Sequence, residues 1–142
     1  MHLLLNKYNK IYYNALAVFT DYSDAMRKWD SDTMATPLYL AQDYIYIGCP
    51  HSFASRFFLV SSVNSVTAKL SIEYYYGNNN WRAVKNLCDE TSVSGKTFAK
   101  SGFISWDLPD DWVRTQVNSF PELPYGINPR DDLGYFWVRI KS

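Results

Sequence analysis

The stretch Ala68-Lys-Leu-Ser-Ile-Glu-Tyr-Tyr-Tyr-Gly-Asn-Asn-Asn-Trp-Arg-Ala-Val84 decides the fold class of this chain. Its first half alternates apolar and polar residues with a period of two, which is typical of a strand with one face in a core. The run is β-branched and aromatic, and such residues favour the pleated conformation. Residues 77–80 are Gly and Asn, which tolerate a positive φ, and an apolar run resumes at Trp81. The stretch therefore predicts a β-hairpin.

Short apolar or alternating runs recur along the rest of the chain, and no long segment has the 3.6-residue period of a helix. The last run covers residues 135–141. This succession of short strands predicts an all-β fold, an antiparallel β-sandwich of the jelly-roll type. The shared period of two predicts a common core between two sheets that contains Leu70, Ile72, Tyr74, Phe136, Val138 and Ile140.

The length of 142 residues is typical of one domain with a sizeable hydrophobic core. The strand pattern covers residues 38–142, which we predict to be the sandwich domain. Residues 1–37 are rich in tyrosine and loop-forming residues and have no clear place in that pattern, so we predict an N-terminal arm. Within this segment, the apolar run 10–19 fits a strand or a docked arm, and both alternatives stay open.

The charge balance argues against several classes of partner. The chain has 14 basic and 14 acidic residues mixed along its length, with no Lys/Arg cluster to release counterions from a phosphate backbone. We therefore expect no nucleic-acid binding. We also expect no membrane association, because the apolar run 3–5 is broken at once by Asn6 and Lys7 and is too short for a span or a signal-peptide core.

The candidates for catalysis do not form a reactive set. Cys49 and His51 are close in sequence, but Pro50 between them indicates a turn and not two facing surfaces. Cys49 and Cys88 match no metal or redox spacing, so we expect two reduced thiols. Glycosidases need two carboxylates across a cleft, and no spacing selects a pair among Glu73, Glu90, Asp107, Asp110 and Asp111. We predict that the protein is not an enzyme.

Two acidic clusters, at residues 21–24 and 30–33, carry the oxygen ligands that Ca²⁺ prefers. Neither has the twelve-residue loop with a closing Glu. A solvated loop without metal is therefore the favoured interpretation, a structural calcium is the lesser alternative, and no other cofactor is expected. Asp110 and Asp111 suit the first turn of a short helix beginning near Pro109.

The aromatic content is high, since 18% of the residues are Phe, Trp or Tyr. One core of this size leaves many of them for the surface, where Tyr and Trp are favoured at interfaces and sugar-binding faces. On the last strand Tyr135, Trp137 and Arg139 point away from the predicted core, as Tyr75 does on the hairpin. If these strands share a sheet, the four residues form one exposed patch that predicts a protein interface. The alternative is that a second sheet or the N-terminal arm covers them.

An ordered string of motifs runs through the chain: Asp43-Tyr-Ile-Tyr-Ile-Gly48, Phe57-Phe58, Asn64, Leu70-Ser-Ile-Glu-Tyr-Tyr-Tyr-Gly77, Trp81, Asp89-Glu-Thr91, Ser101-Gly-Phe-Ile-Ser-Trp106, Pro109-Asp-Asp-Trp112 and Phe136-Trp-Val-Arg-Ile140. This string resembles a β-sandwich module of tailed-bacteriophage structural proteins, similar in outline to galactose-binding-like jelly rolls. The resemblance covers about residues 38–142. It implies a virion component of the head, neck, tail or baseplate.

We therefore predict a bacteriophage virion structural protein that acts through protein–protein contacts in a symmetric assembly. Its expected partners are other virion proteins and copies of itself. The alternative is a carbohydrate-binding module of a receptor-binding or adhesion protein. Such a module would stack Trp81 on sugar rings, with hydrogen bonds from Asn78, Asn79, Asn80 and Arg82.

Overall fold

The computed structural model describes residues 2–3, 10–15, 18–21, 44–60, 62–115 and 134–141. Within these residues there is no helix, and the strands are β1 (His2–Leu3), β2 (Lys10–Ala15), β3 (Val18–Asp21), β4 (Tyr44–Cys49), β5 (Ser55–Leu59), β6 (Ser71–Gly77), β7 (Asn80–Ala83), β8 (Cys88–Asp89), β9 (Gly102–Ser105) and β10 (Phe136–Lys141). They form two antiparallel sheets, ordered β1-β5-β9-β8 and β3-β2-β4-β10-β6-β7, that pack as a sandwich. The predicted all-β antiparallel sandwich is confirmed, and its finer jelly-roll connectivity stays a prediction.

Strands β6 and β7 form the hairpin that the sequence predicts. Gly77 pairs with Asn80 across the turn, after a bulge in β6. The φ angles of Gly77, Asn78 and Asn79 are 102°, 51° and 58°. Glycine and asparagine adopt such left-handed angles at little cost, so the turn needs these residue types.

The hydrophobic core lies between the two sheets. In the six-stranded sheet, Ile45, Ile140 and Ile72 lie side by side in one row that faces this core. The four-stranded sheet contributes Phe58 and Ile104, both fully buried. All six residues predicted for the core are found there. Phe136 is partly buried and packs against the core, and the other five are buried in it: Leu70, Ile72, Tyr74, Val138 and Ile140. This prediction is confirmed.

The segment predicted as an N-terminal arm contributes strands to both sheets. Strand β1 pairs with β5, and strand β2 pairs with β4. Of the two alternatives for the apolar run that begins at residue 10, the structure therefore shows the strand. Pairing satisfies backbone N–H and C=O groups that would otherwise be left at an open sheet edge. Strands β1, β2 and β3 of this segment thus pair within the two sheets. The division into an N-terminal arm, residues 1–37, and a sandwich domain stays a prediction, and residues 1, 4–9, 16–17 and 22–37 lie outside the described residues.

The helix predicted near Pro109 is wrong, because the backbone of residues 107–114 is not helical. Asp111 instead accepts hydrogen bonds from the Tyr74 hydroxyl (2.7 Å) and from Nη1 of Arg82 (2.5 Å). The hydrogen bond from Tyr74 and the positive charge of Arg82 lower the pKa of the Asp111 carboxyl. These tertiary bonds replace the helix-terminus interaction that the sequence suggested.

A buried polar network fixes the turn that follows β8. Asp89 accepts hydrogen bonds from the backbone N–H (2.9 Å) and hydroxyl (2.5 Å) of Thr91 and from the hydroxyl of Thr97 (2.5 Å). Both threonines are buried, and the Thr91 hydroxyl also accepts from the backbone N–H of Phe98 (2.9 Å). Because an unpaired buried hydroxyl is costly, this network holds the turn in one conformation.

Candidate functional site

An aromatic cluster covers the outer face of the six-stranded sheet. The strand register aligns Gly48, Trp137, Tyr75 and Trp81 in one row across β4, β10, β6 and β7. A Cβ atom added to Gly48 would lie 2.8 Å from Cζ3 and Cη2 of Trp137. The indole ring therefore occupies the space that a side chain at position 48 would need. The other members of this cluster are Tyr44, Tyr46 and Tyr135.

The four residues predicted as an interface do not form an exposed patch. Tyr75, Tyr135 and Trp137 are buried, with Trp137 0% exposed, and Arg139 is partly buried. The Trp137 Nε1–H donates to the backbone oxygen of Thr115 (3.3 Å). The expectation of an open face is wrong, because three of the four side chains are already buried within the chain. The role of these residues in a protein interface stays a prediction. Burial removes their large ring surfaces from water, which is favourable.

Arg139 is held by a carboxylate and two rings of the same face. Its Nε donates to Oε2 of Glu73 (2.5 Å), the residue directly opposite on β6. The guanidinium carbon lies 4.5 Å from the ring centre of Tyr44 and 4.6 Å from that of Trp81. Burial disfavours the charged form, but the hydrogen bond and charge of Glu73 outweigh it and raise the pKa of Arg139. The guanidinium therefore contributes to the cohesion of this face.

The residues of the sugar-binding alternative lie together along the hairpin. Asn78, Asn79 and Asn80 are exposed at its turn. Trp81 is partly buried, and its ring packs against Tyr75, Tyr46 and Arg139. A sugar ring needs an open aromatic face on which to stack, and these contacts occupy much of the Trp81 ring. Arg82 likewise engages Asp111 and lies 3.8 Å above the ring centre of Tyr76.

The residues considered for catalysis differ in burial and do not share hydrogen-bond partners in the described structure. Cys49 is buried against the core, whereas His51 is exposed, and both Cys49 and Cys88 are free thiols. Asp107 is exposed and accepts a hydrogen bond from Nδ2 of Asn86 (2.6 Å). Among the residues that the structure describes, no group of three or more His, Cys, Asp or Glu side chains could hold a metal ion. Apart from strand residue Asp21, both acidic clusters proposed for calcium lie outside the described residues.

A second aromatic surface lies on the outer face of the four-stranded sheet. Phe57 of β5 pairs directly with Phe103 of β9, and their ring centres are 5.0 Å apart in an edge-to-face arrangement. Phe103 is 48% exposed, and Phe57 is half-buried. On one side of the pair, the flanking row of this face consists of Ser55 and Ser105, whose side chains are too small to cover the rings. On the other side β5 continues with Leu59, which pairs with His2 of β1. We call Phe57 and Phe103 the outer aromatic patch.

Sequence reasoning did not find this patch. The apolar run 57–60 does not alternate, so its pattern gives no outward position, whereas in the structure Phe58 lies in the core, Val60 packs against it and Phe57 is on the outer face. The alternation of Phe103 with the buried residues Gly102 and Ile104 is a signal in the sequence that places Phe103 on the outer face. The pairing of β5 with β9 is visible only in the fold.

Comparison with known proteins gives no family or structural neighbour. None of the protein-family models, curated proteins or solved structures matches this chain. In the described part of the chain, no helix is long and apolar enough to cross a membrane.

Proposed function

We propose that the protein is a structural component of a bacteriophage particle and acts through contacts with copies of itself and with other virion proteins. The observation that carries this proposal is the outer aromatic patch, a cross-strand pair of phenylalanines that is partly exposed on a sheet face. The resemblance of residues 38–142 to phage sandwich modules supplies the setting. Within a particle, symmetry would repeat the same contact around each copy.

The patch has the chemistry of a protein contact. Phenylalanine is enriched in the cores of interfaces, and the rings of an edge-to-face pair are already held in place before a partner arrives. Phe103 is about half exposed, so a partner would remove the remaining ring surface from water. Truncating a well-packed aromatic anchor in such a contact to alanine costs roughly 2 kcal/mol or more of binding free energy.

Substitution of Phe103 tests the proposal directly. Phe103→Ser removes the exposed ring from an outward position of β9, and the core residues of that strand remain unchanged. Leu108→Ser is the matched control, because Leu108 is also an exposed apolar residue but lies outside the patch. We expect Phe103→Ser, and not Leu108→Ser, to reduce incorporation into particles and self-association in analytical ultracentrifugation. Circular dichroism and urea unfolding establish that both variants remain folded.

The carbohydrate-binding alternative gives the opposite set of results. In that case both variants would assemble normally, and a glycan array would detect binding that is lost on Asn80→Ala or Trp81→Ala. Asn80 suits this test because its side chain is exposed and, unlike Asn78 and Asn79, it does not need a positive φ. Normal particle incorporation of Phe103→Ser together with such glycan binding would overturn the proposed function.

A further inference from the structure

Two loops are joined into one rigid end of the sandwich, which we call the loop end: residues 62–70 and 91–100. The backbone N–H of Asn64 donates to Phe98 O (2.9 Å), and its side-chain Nδ2 donates to Val66 O (2.8 Å) and Thr97 O (3.0 Å). Ala68 and Gly95 form a further backbone bond between the loops (3.1 Å). The hydrogen bonds from Thr91 and Thr97 to Asp89 fix the second loop to strand β8. Both loops are therefore fixed by hydrogen bonds and not by apolar packing of their tips.

The loop end holds three valines out to solvent. Val63 is 61% exposed, Val66 is 67% exposed and Val93 is 44% exposed. Val66 lies beside the Asn64 side chain that bridges the loops, and Val93 pairs with Lys96, which pairs in turn with Ala68. The three side chains are thus carried by one hydrogen-bonded unit. Aliphatic side chains held in water lose the stabilisation that burial would give them.

The charge of the loop end has one sign. Its ionisable residues are Lys69, Lys96 and Lys100, and neither loop contains an Asp or a Glu. No ion pair joins these lysines to another residue in the described ranges. Two acids, Asp89 and Glu90, directly precede the second loop. Asp89 directs both carboxylate oxygens to threonine groups of the turn, and Oε2 of Glu90 accepts a hydrogen bond from the backbone N–H of Phe103 (3.3 Å). The loop end is therefore positively charged on a chain whose formal net charge is zero.

We infer that the loop end docks on an anionic lipid surface, with the valines entering the headgroup region and the lysines facing the lipid charges. Interfacial binding combines burial of apolar side chains at the headgroup boundary with attraction of Lys and Arg to anionic lipids, and the loop end carries both residue types. A protein partner is a poorer fit, because lysine is depleted in protein interfaces and valine is under-represented among the residues that dominate their binding energy. A nucleic acid would use the lysines but would gain nothing from the valines. This inference departs from the sequence-based expectation of no membrane association, which rested on the lack of a span or signal-peptide core. A peripheral contact needs neither.

Vesicle sedimentation of the full chain tests this inference. The probes are vesicles of phosphatidylcholine alone and vesicles with 30 mol% phosphatidylserine, each at about 0.1 M and about 1 M salt, where the screening lengths are about 10 Å and 3 Å. We expect binding only to the anionic vesicles, and loss of that binding at high salt. Each Lys→Gln change at position 69, 96 or 100 should weaken binding roughly fivefold, and the triple change roughly a hundredfold.

Two matched controls locate the contact. Lys85→Gln removes an exposed lysine outside the loop end and should weaken binding less than any of the three loop-end changes. Val66→Ser should weaken binding to anionic vesicles, whereas Val113→Ser, at an exposed valine elsewhere, should not. Urea unfolding of each variant separates a binding effect from loss of the fold.

Three results would overturn the inference. The first is the absence of wild-type binding to the anionic vesicles at the lower salt. The second is binding that the triple lysine change or Val66→Ser leaves intact. The third is that the wild type does not bind the vesicles but the triple lysine variant is incorporated less into particles. That result would identify an acidic protein surface as the partner. None of these results depends on the outer aromatic patch.

Discussion

Replacing Gly48 with alanine should destabilise the protein through one clash in the aromatic cluster. The added Cβ would lie 2.8 Å from Cζ3 and Cη2 and 2.9 Å from Cε3 of Trp137. Carbon atoms pack best at roughly 3.5–4.0 Å, so the ring or the strand must move by about 1 Å. The ring has little freedom, because Trp137 is fully buried and its Nε1–H is bonded to Thr115.

The expected cost combines two opposing effects. Overpacking of a well-filled site costs about 1–3 kcal/mol, and the loss of glycine flexibility in the unfolded chain returns about 0.4–1 kcal/mol. The net loss in the free energy of unfolding should therefore be about 1–2 kcal/mol. Equilibrium urea unfolding should show a lower midpoint with an unchanged slope, which indicates a change in stability and not in compactness.

A double-mutant cycle isolates the clash from other effects of the substitution. Trp137→Leu removes the three ring atoms that the new Cβ would meet. In that background Gly48→Ala should be neutral or slightly stabilising, which gives a coupling energy of about 1–3 kcal/mol between the two positions. Equal destabilisation by Gly48→Ala in both backgrounds would refute the argument, since the cost would then have nothing to do with the indole ring.

Further predictions concern the core, the polar turn and pH. Ile72→Ala should lower the free energy of unfolding, measured by urea unfolding, by roughly 2–5 kcal/mol, because the Ile72 side chain is buried in the core. A loss no larger than that of an alanine substitution at an exposed position would show that the Ile72 side chain is not tightly packed. Asp89→Ala should cost ~2–4 kcal/mol and speed amide hydrogen exchange in the turn, since two buried threonine hydroxyls lose their acceptor, whereas Asp110→Ala, at an exposed control carboxylate, should do neither. The pKa of Asp111 is lowered in the folded protein, so its contribution to stability is present above the unfolded pKa of about 4 and is lost as pH falls through the lower folded value. Tyr74→Phe removes the main cause, and an NMR titration of the carboxyl should then show a higher pKa for Asp111; an unchanged value would show that the hydroxyl has no such role.

The prediction of the fold succeeded where the pattern was local. Alternation in β6 and β10 identified the inward side chains, because neighbouring residues of a strand point to opposite faces whatever the strand pairs with. The Gly and Asn residues of the hairpin turn likewise reflect a backbone requirement of their own positions. The helix predicted near Pro109 failed because hydrogen bonds from Tyr74 and Arg82 to Asp111 reach across the chain, and local propensity carries no information about them.

The prediction that Tyr75, Tyr135, Trp137 and Arg139 form an exposed patch failed for a different reason. Alternation correctly placed Tyr135, Trp137 and Arg139 on the face away from the core. It could not indicate whether that face is open, since exposure depends on what the rest of the chain packs against it. The same limit hid the outer aromatic patch, whose two phenylalanines meet through a pairing between distant strands.

By itself, the sequence determined the all-β class, the hairpin and the inward residues of the core, since period-two patterning and turn chemistry act over a few residues. Only the tertiary structure decided which sheet face is covered, that the start of the chain joins both sheets, and that the loop end combines valines and lysines from two loops. These features depend on contacts between residues far apart in the chain. Such contacts form only when the backbone of both segments is fixed, so no single segment encodes them.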